Sequence, residues 1–330
     1  MHAAQGRRKD EVDVLRTAFW FAEIKARLNA STAYEIERLL EPEAFGKNKD
    51  GDHIHRNKWS KYEVGQHVPC DSLVTRVDAK LPGSKRVLNH VLWEVLRAKH
   101  SIKELADDLL RQLTPEIQVC VFRIQRYRTS DSHHRISSSR RQLTLLERRS
   151  GIDALACLTI LLRESSEQGE NPHSIDIGKS IYRMLLVLCS TGQFGDFTQE
   201  IFDIYRDKIF SLPRHKGIIF RLKDSDFIDA VKLLTIIVLQ VEDKKKFGTD
   251  GHGLNKVMYK FLDGDYGFDV KFALDPSFGP SEPFSDMNSK EWEDFEVREK
   301  FRQWGKEQLS SSNIREVLPP AELWRPTSRI

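Results

Sequence analysis

The chain has 330 residues, 39% of them hydrophobic and 31% charged, with a formal net charge of +3. That length supports two or three domains with sizeable cores, and that apolar content excludes a disordered chain. The charge is uneven: residues 1–149 hold 28 Lys and Arg against 20 Asp and Glu, a net of +8, and the remainder holds 24 against 29, a net of −5. The basic half points to an anionic partner, unless the split is a fluctuation of surface charge.

The chain opens on "MHAAQGRRKDEVD", which is polar and lacks the apolar core of a signal peptide. Helix starts then recur. Thr32 with Glu35, Ser101 with Glu104 and Asn288 with Glu291 have capping-box spacing, and Thr114–Pro115 places an N-cap before a first-turn proline. Leu105, Leu109, Leu110 and Leu113 form an apolar stripe at helical spacing. Leu143, Leu146, Ile152, Leu155 and Leu158 form a looser one across Gly151, and Ile201, Ile204, Tyr205 and Ile209 a third. Strand patterns are scarce: "KGIIFRL" is the best, and "GFDVKFAL" alternates Phe268, Val270 and Phe272. No repeat of solenoid period is present. The expectation is a mainly α protein with one small hairpin.

Composition divides the chain into a helical domain over 11–128 and a basic Ser/Arg-rich linker over 129–141. A second helical domain follows over 142–263, then an irregular region over 264–330 with one helix and a Pro-bearing tail. In the late helix "SKEWEDFEVREKFRQWGKEQL", Trp292, Phe295, Phe301 and Trp304 do not share one face. Such a helix is buried in a core or held at a subunit interface. Cys70, Cys120, Cys157 and Cys189 lie 50, 37 and 32 residues apart, which fits neither a zinc knuckle nor a redox motif. Cys157 and Cys189 sit in apolar runs and read as buried thiols in a reducing, cytoplasmic setting. "AVKLLTIIVLQV" is too short for a bilayer, so it reads as a buried helix and no membrane partner is expected.

Residues 53–64, "HIHRNKWSKYEV", read as a helix with Trp59 and Tyr62 on one side and Lys58 and Lys61 on another. Gly65 ends it, and Pro69 leads into a second helix with Leu73, Val74, Val77 and Leu81 facing inward. With Tyr62, Glu63, Gly65 and Pro69 at these places, "WSKYEVGQHVPCDSLVTRVDAKLPG" resembles the third and fourth helices of the lambda-repressor-like (Xre-type) helix-turn-helix family. The likeness covers residues 55–84, and loosely 19–84. It implies an N-terminal helix-turn-helix-like domain in which Arg56, Asn57, Lys58, Ser60 and Lys61 face the major groove of double-stranded DNA. Arg and Lys suit guanine or phosphate, Asn suits adenine and Ser suits phosphate. The family joins its second and third helices by about four residues, and this chain interposes "EPEAFGKNKDGDHI".

Residues 123–149 hold eight Arg, with Tyr127 and the pair His133 and His134 among them. Arg135, Arg140 and Arg141 are candidate phosphate contacts; the alternative is a solvated linker. His53 and His55 beside Asp50 and Asp52, and His133 and His134 after Asp131, read as polar surface rather than a metal site. "GTDGHG" and "DGDYG" read as tight turns, and no cofactor motif is found. No nucleophile–base motif appears, so no catalytic residue is assigned. The leading expectation is a regulatory DNA-binding protein whose helical C-terminal domain serves assembly, as a homo-oligomer or with a protein partner, or sensing. The alternatives are a helical protein–protein adaptor without DNA affinity and a nucleic-acid-processing enzyme.

Overall fold

A computed structural model describes residues 10–47, 53–54, 57–97, 99–126, 131–169, 172–245, 251–281, 288–310 and 317–324. The protein is mainly α-helical, as its periodicities predict. Its contacts divide it into two compact units, Met1–Arg97 and Ala98–Ile330. No helix among the described residues is long and apolar enough to cross a membrane.

The first unit is built on α1 (Glu11–Leu28), with Asp10 accepting from Val12 N at its start and Asn29 in the left-handed conformation at its end. Around it pack α2 (Ala33–Leu40), α3 (Lys58–Glu63), α4 (Asp71–Lys80), α5 (Ser84–Leu88) and α6 (Val91–Arg97). Thr32 caps α2 by accepting from Glu35 N at 3.2 Å, as its spacing predicts. The core of this unit joins Trp20, Phe21 and Ile24 of α1 to Ile36 and Leu40 of α2. Trp59 and Tyr62 of α3, and Leu73, Val74 and Val77 of α4, complete it.

The helix expected over 53–64 is shorter. Residues 53–54 form β2, which pairs antiparallel with β1 (Gly46–Lys47), and the helix begins only at Lys58. Asn57 stands ahead of it at φ 47, a left-handed conformation that asparagine tolerates but an α-helix interior excludes. The long insertion between α2 and α3 thus carries a 3-10 turn (Pro42–Ala44) and a two-stranded ribbon, and α2 still packs on α3.

The second unit begins with α7 (Ala106–Arg111) and α8 (Pro115–Val121); Thr114 stands at the N-cap position of α8 without a side-chain capping bond, and Pro115 is in its first turn. Ser101 does not cap a helix: its hydroxyl donates to Glu167 at 2.5 Å, and α7 starts five residues later. The expected linker over 129–141 lies inside this unit. Strand β4 (Asp131–Arg135) pairs with β3 (Phe122–Arg126), and Arg140 opens α9 (Arg140–Arg148). Backbone pairing there sets Phe122 opposite Arg135, whose guanidinium lies 5.8 Å from the centre of the Phe122 ring.

At the centre of the second unit, α10 (Ile152–Glu167) and α11 (Pro172–Ser190) are buried along most of their length. Cys157 and Cys189 are among their buried residues. Packed with them are α12 (Thr198–Lys208), α13 (Asp224–Lys245) and α14 (Gly251–Asp263). Arg183 of α11 ties α9 to α14, pairing with Glu147 at 3.2 Å and with Asp263 at 2.6 Å.

"KGIIFRL" does contain a strand, β5 (Ile218–Phe220), which pairs with β6 (Phe278–Pro280). "GFDVKFAL" is instead α15 (Phe268–Ala273), because its burial runs at helical spacing through Asp269, Val270 and Ala273. Helix α16 (Ser289–Ser310) packs on α15: Phe301 stacks on Phe272 at 4.8 Å, and Trp304 lies edge-on to it at 6.5 Å. Trp324 of the tail folds back onto Phe301, with ring centres 4.7 Å apart.

Candidate nucleic-acid interface

Helix α3 holds its place through its two aromatic residues. Trp59 is fully buried and stacks on Trp20 at 5.9 Å, while Tyr62 meets Trp59 edge-on at 5.7 Å. Burial, helped by nearby carboxylates and Cys70, pushes the Tyr62 phenol up to about 12, so it packs as a neutral ring. The helix ends in a Schellman closure, with Gly65 N donating to Tyr62 O and Gln66 N donating to Lys61 O. Gly65 has φ 63, and a Cβ there would lie 2.3 Å from the carbonyl oxygen of Val14. Only glycine lets this turn approach the α1 backbone so closely.

The polar side of the unit is organised by a carboxylate that the sequence reading did not single out. Glu41, at the C-terminal end of α2, is 3% exposed. It accepts from Trp59 Nε1 at 2.9 Å, from Lys58 Nζ at 2.6 Å and from Arg76 Nη2 at 2.7 Å. Arg76 Nη1 also reaches Glu43 at 2.6 Å. Lys80 Nζ donates to the carbonyls of Leu39 and Leu40, each at 3.1 Å. Three cations from α3 and α4 therefore converge on the C-terminal end of α2, where the helix dipole is negative.

That convergence changes the meaning of the predicted site residues. Lys58 turns to Glu41 instead of facing outward. Ser60 turns back onto Asn57, donating toward both its carbonyl and its side-chain oxygen. Asn57 and Lys61 are exposed. Arg56 lies outside the described residues.

Of the second basic group, Arg135 is committed internally, to Asp107 at 2.7 Å and to Glu164 at 2.5 Å. Arg140 and Arg141 are exposed in the first turn of α9, behind a capping box formed by Ser139 and Gln142. A carboxylate next to a proline, as in Glu41–Pro42, marks only the end of a helix. Nothing in the sequence shows which cations will surround it.

No protein-family model matches the chain, and neither the curated proteins nor the solved structures give a match.

Proposed function

We propose that residues 11–97 form a DNA-binding unit of helix-turn-helix type in a regulatory protein, with α3 as the helix presented to duplex DNA. The observation that carries this reading is the two-sidedness of α3. Trp59 and Tyr62 are seated in the core while Asn57 and Lys61 are exposed, and the Gly65 turn is sterically compelled. Asn57 suits an adenine edge, and Lys61 suits a guanine or a phosphate. Lys58 and Arg76 hold α3 in place through Glu41 and are not base contacts in this reading. Arg140 and Arg141 are additional phosphate contacts.

The test is a gel shift of the full chain on random duplex across a salt series. Log affinity should fall linearly with log salt, as it does when cations on a protein displace counterions from phosphates. Absence of any shift at about 50 mM salt would refute the reading.

A second reading, docking to another protein chain, rests on the outer face of α13. Ile236 and Leu239, one turn apart, are 52% and 54% exposed. Leu233, one turn before Ile236, lines a groove of about 330 Å³ together with Leu309, Asp226, Asp229 and Lys306. Exposed apolar side chains grouped this way mark a surface for assembly. Light scattering over a concentration series, comparing wild type with Leu239→Glu, tests that reading.

A further inference from the structure

In the second unit a groove of about 390 Å³ opens between the segment that leaves β4, the C-terminal half of α10 and the first turn of α11. Its size is that of small-molecule sites. Ser137, Ser138, Ser165, Gln168 and His173 give it a wall of hydroxyl, amide and imidazole groups.

Two observations single it out. Ser138 Oγ and His173 Nε2 stand 2.7 Å apart across the groove, the separation of a serine nucleophile from its base. Ser165 is 8% exposed, and its Oγ has no hydrogen-bond partner. A buried hydroxyl left without a partner is costly, and this one belongs to a residue that lines the groove. Ser138 also lies directly before the N-cap of α9. The capping box there engages the amides of Ser139 and Gln142, and the amides of Arg140 and Arg141 have no intrahelical acceptor.

The charges decide between substrate classes. The guanidinium of Arg135 faces both Asp107 and Glu164, so that wall carries no excess positive charge to draw in a phosphate dianion. A neutral acyl group is the better fit.

We infer that this groove is a nucleophilic site for carboxylic esters, with Ser138 as the nucleophile and His173 as its base. Ser138 Oγ bonds to the ester carbonyl carbon as its proton passes to His173 Nε2. The bond to the leaving alcohol breaks, and that oxygen takes the proton from His173. Water, giving its proton to His173, then attacks the acyl carbon, and Ser138 leaves carrying that proton. The net change is ester plus water to acid plus alcohol.

The test uses the full chain and an alkyl fluorophosphonate, which forms a Ser138 Oγ–P bond as its P–F bond breaks. Peptide mapping should find one adduct, at Ser138, and Ser138→Ala should abolish it. His173→Gln should slow labelling about 100-fold, the scale of a lost general base. Ser138→Ala removes only a hydroxyl, and its melting temperature shows whether the fold survives, so the test stands even if His173→Gln unfolds. An unlabelled wild-type chain, an adduct on another residue, or labelling of a folded His173→Gln variant at the wild-type rate would each overturn the inference.

Discussion

The carboxylate of Glu41 accepts a 2.9 Å hydrogen bond from the indole Nε1 of Trp59, eighteen residues further along the chain. This contact joins the end of α2 to the start of α3 across the inserted ribbon, and Lys58 and Arg76 close around it. Glu41→Ala leaves the indole N–H buried without an acceptor, while the two cations can turn to water. We expect a loss of about 1–3 kcal/mol, the cost of an unsatisfied buried donor together with lost charge-assisted bonds. Glu41→Gln keeps an acceptor for Trp59 and should lose less. Urea denaturation of both variants measures the difference.

The two faces of α3 should fail in different ways. Trp59→Ala should lower stability by about 3–5 kcal/mol, as truncation of a fully buried aromatic does. Lys61→Ala should leave stability within about 0.5 kcal/mol, because the side chain is exposed. On DNA, Lys61→Ala should lower the salt slope by about one if the lysine meets a phosphate. Thermal melts beside gel shifts separate the two effects. If Lys61→Ala alters neither affinity nor sequence preference, α3 serves only to hold the fold and the docking reading takes precedence.

Arg135 and the pair Arg140 and Arg141 come from one basic stretch and should behave differently. Arg135→Ala removes a cation shared by Asp107 and Glu164 and uncovers the Phe122 ring, so it should lower the melting temperature. The double change Arg140→Ala and Arg141→Ala should leave the melt unchanged and weaken DNA binding to a similar degree on all sequences, because loop and helix-end arginines meet phosphates. A melt of the double variant that falls as far as that of Arg135→Ala would show both groups to be structural.

Asp226 gives the second unit an acid-sensitive contact. Burial alone would raise its carboxyl, but Lys306 at 3.2 Å and Arg302 at 3.5 Å outweigh that and hold it below its ordinary value of 3.8. The folded chain therefore binds fewer protons at this site than the unfolded chain does in that window. Its stabilising contribution is present above the ordinary value and is lost as pH falls through the lowered one. Asp226→Asn should thus be less stable than wild type near neutral pH, by under about 1 kcal/mol for so exposed a pair. The gap should close in acid. Urea titrations of the two proteins between neutral pH and pH of about 3 test this, and a gap independent of pH would count against it.

Local signals in the sequence determined most of the helices and the inward residues of the first unit. The Thr32 cap, the start of α8 at Thr114–Pro115, the Gly65 turn, and the burial of Trp59, Tyr62, Leu73, Val74 and Val77 all follow from short-range rules. These rules work because capping, left-handed turns and helical periodicity depend on residues a few positions apart. Tertiary structure decided where the charged side chains go. Lys58 and Arg76 lie 17 and 35 residues from Glu41, and Arg135 lies 28 and 29 residues from Asp107 and Glu164. A basic side chain can reach water, phosphate or a carboxylate with little difference in local cost. Its partner is therefore set by which acid the packing brings within a few ångströms. The same holds for Ser138 and His173, 35 residues apart, which become neighbours only when the segment after β4 meets the first turn of α11.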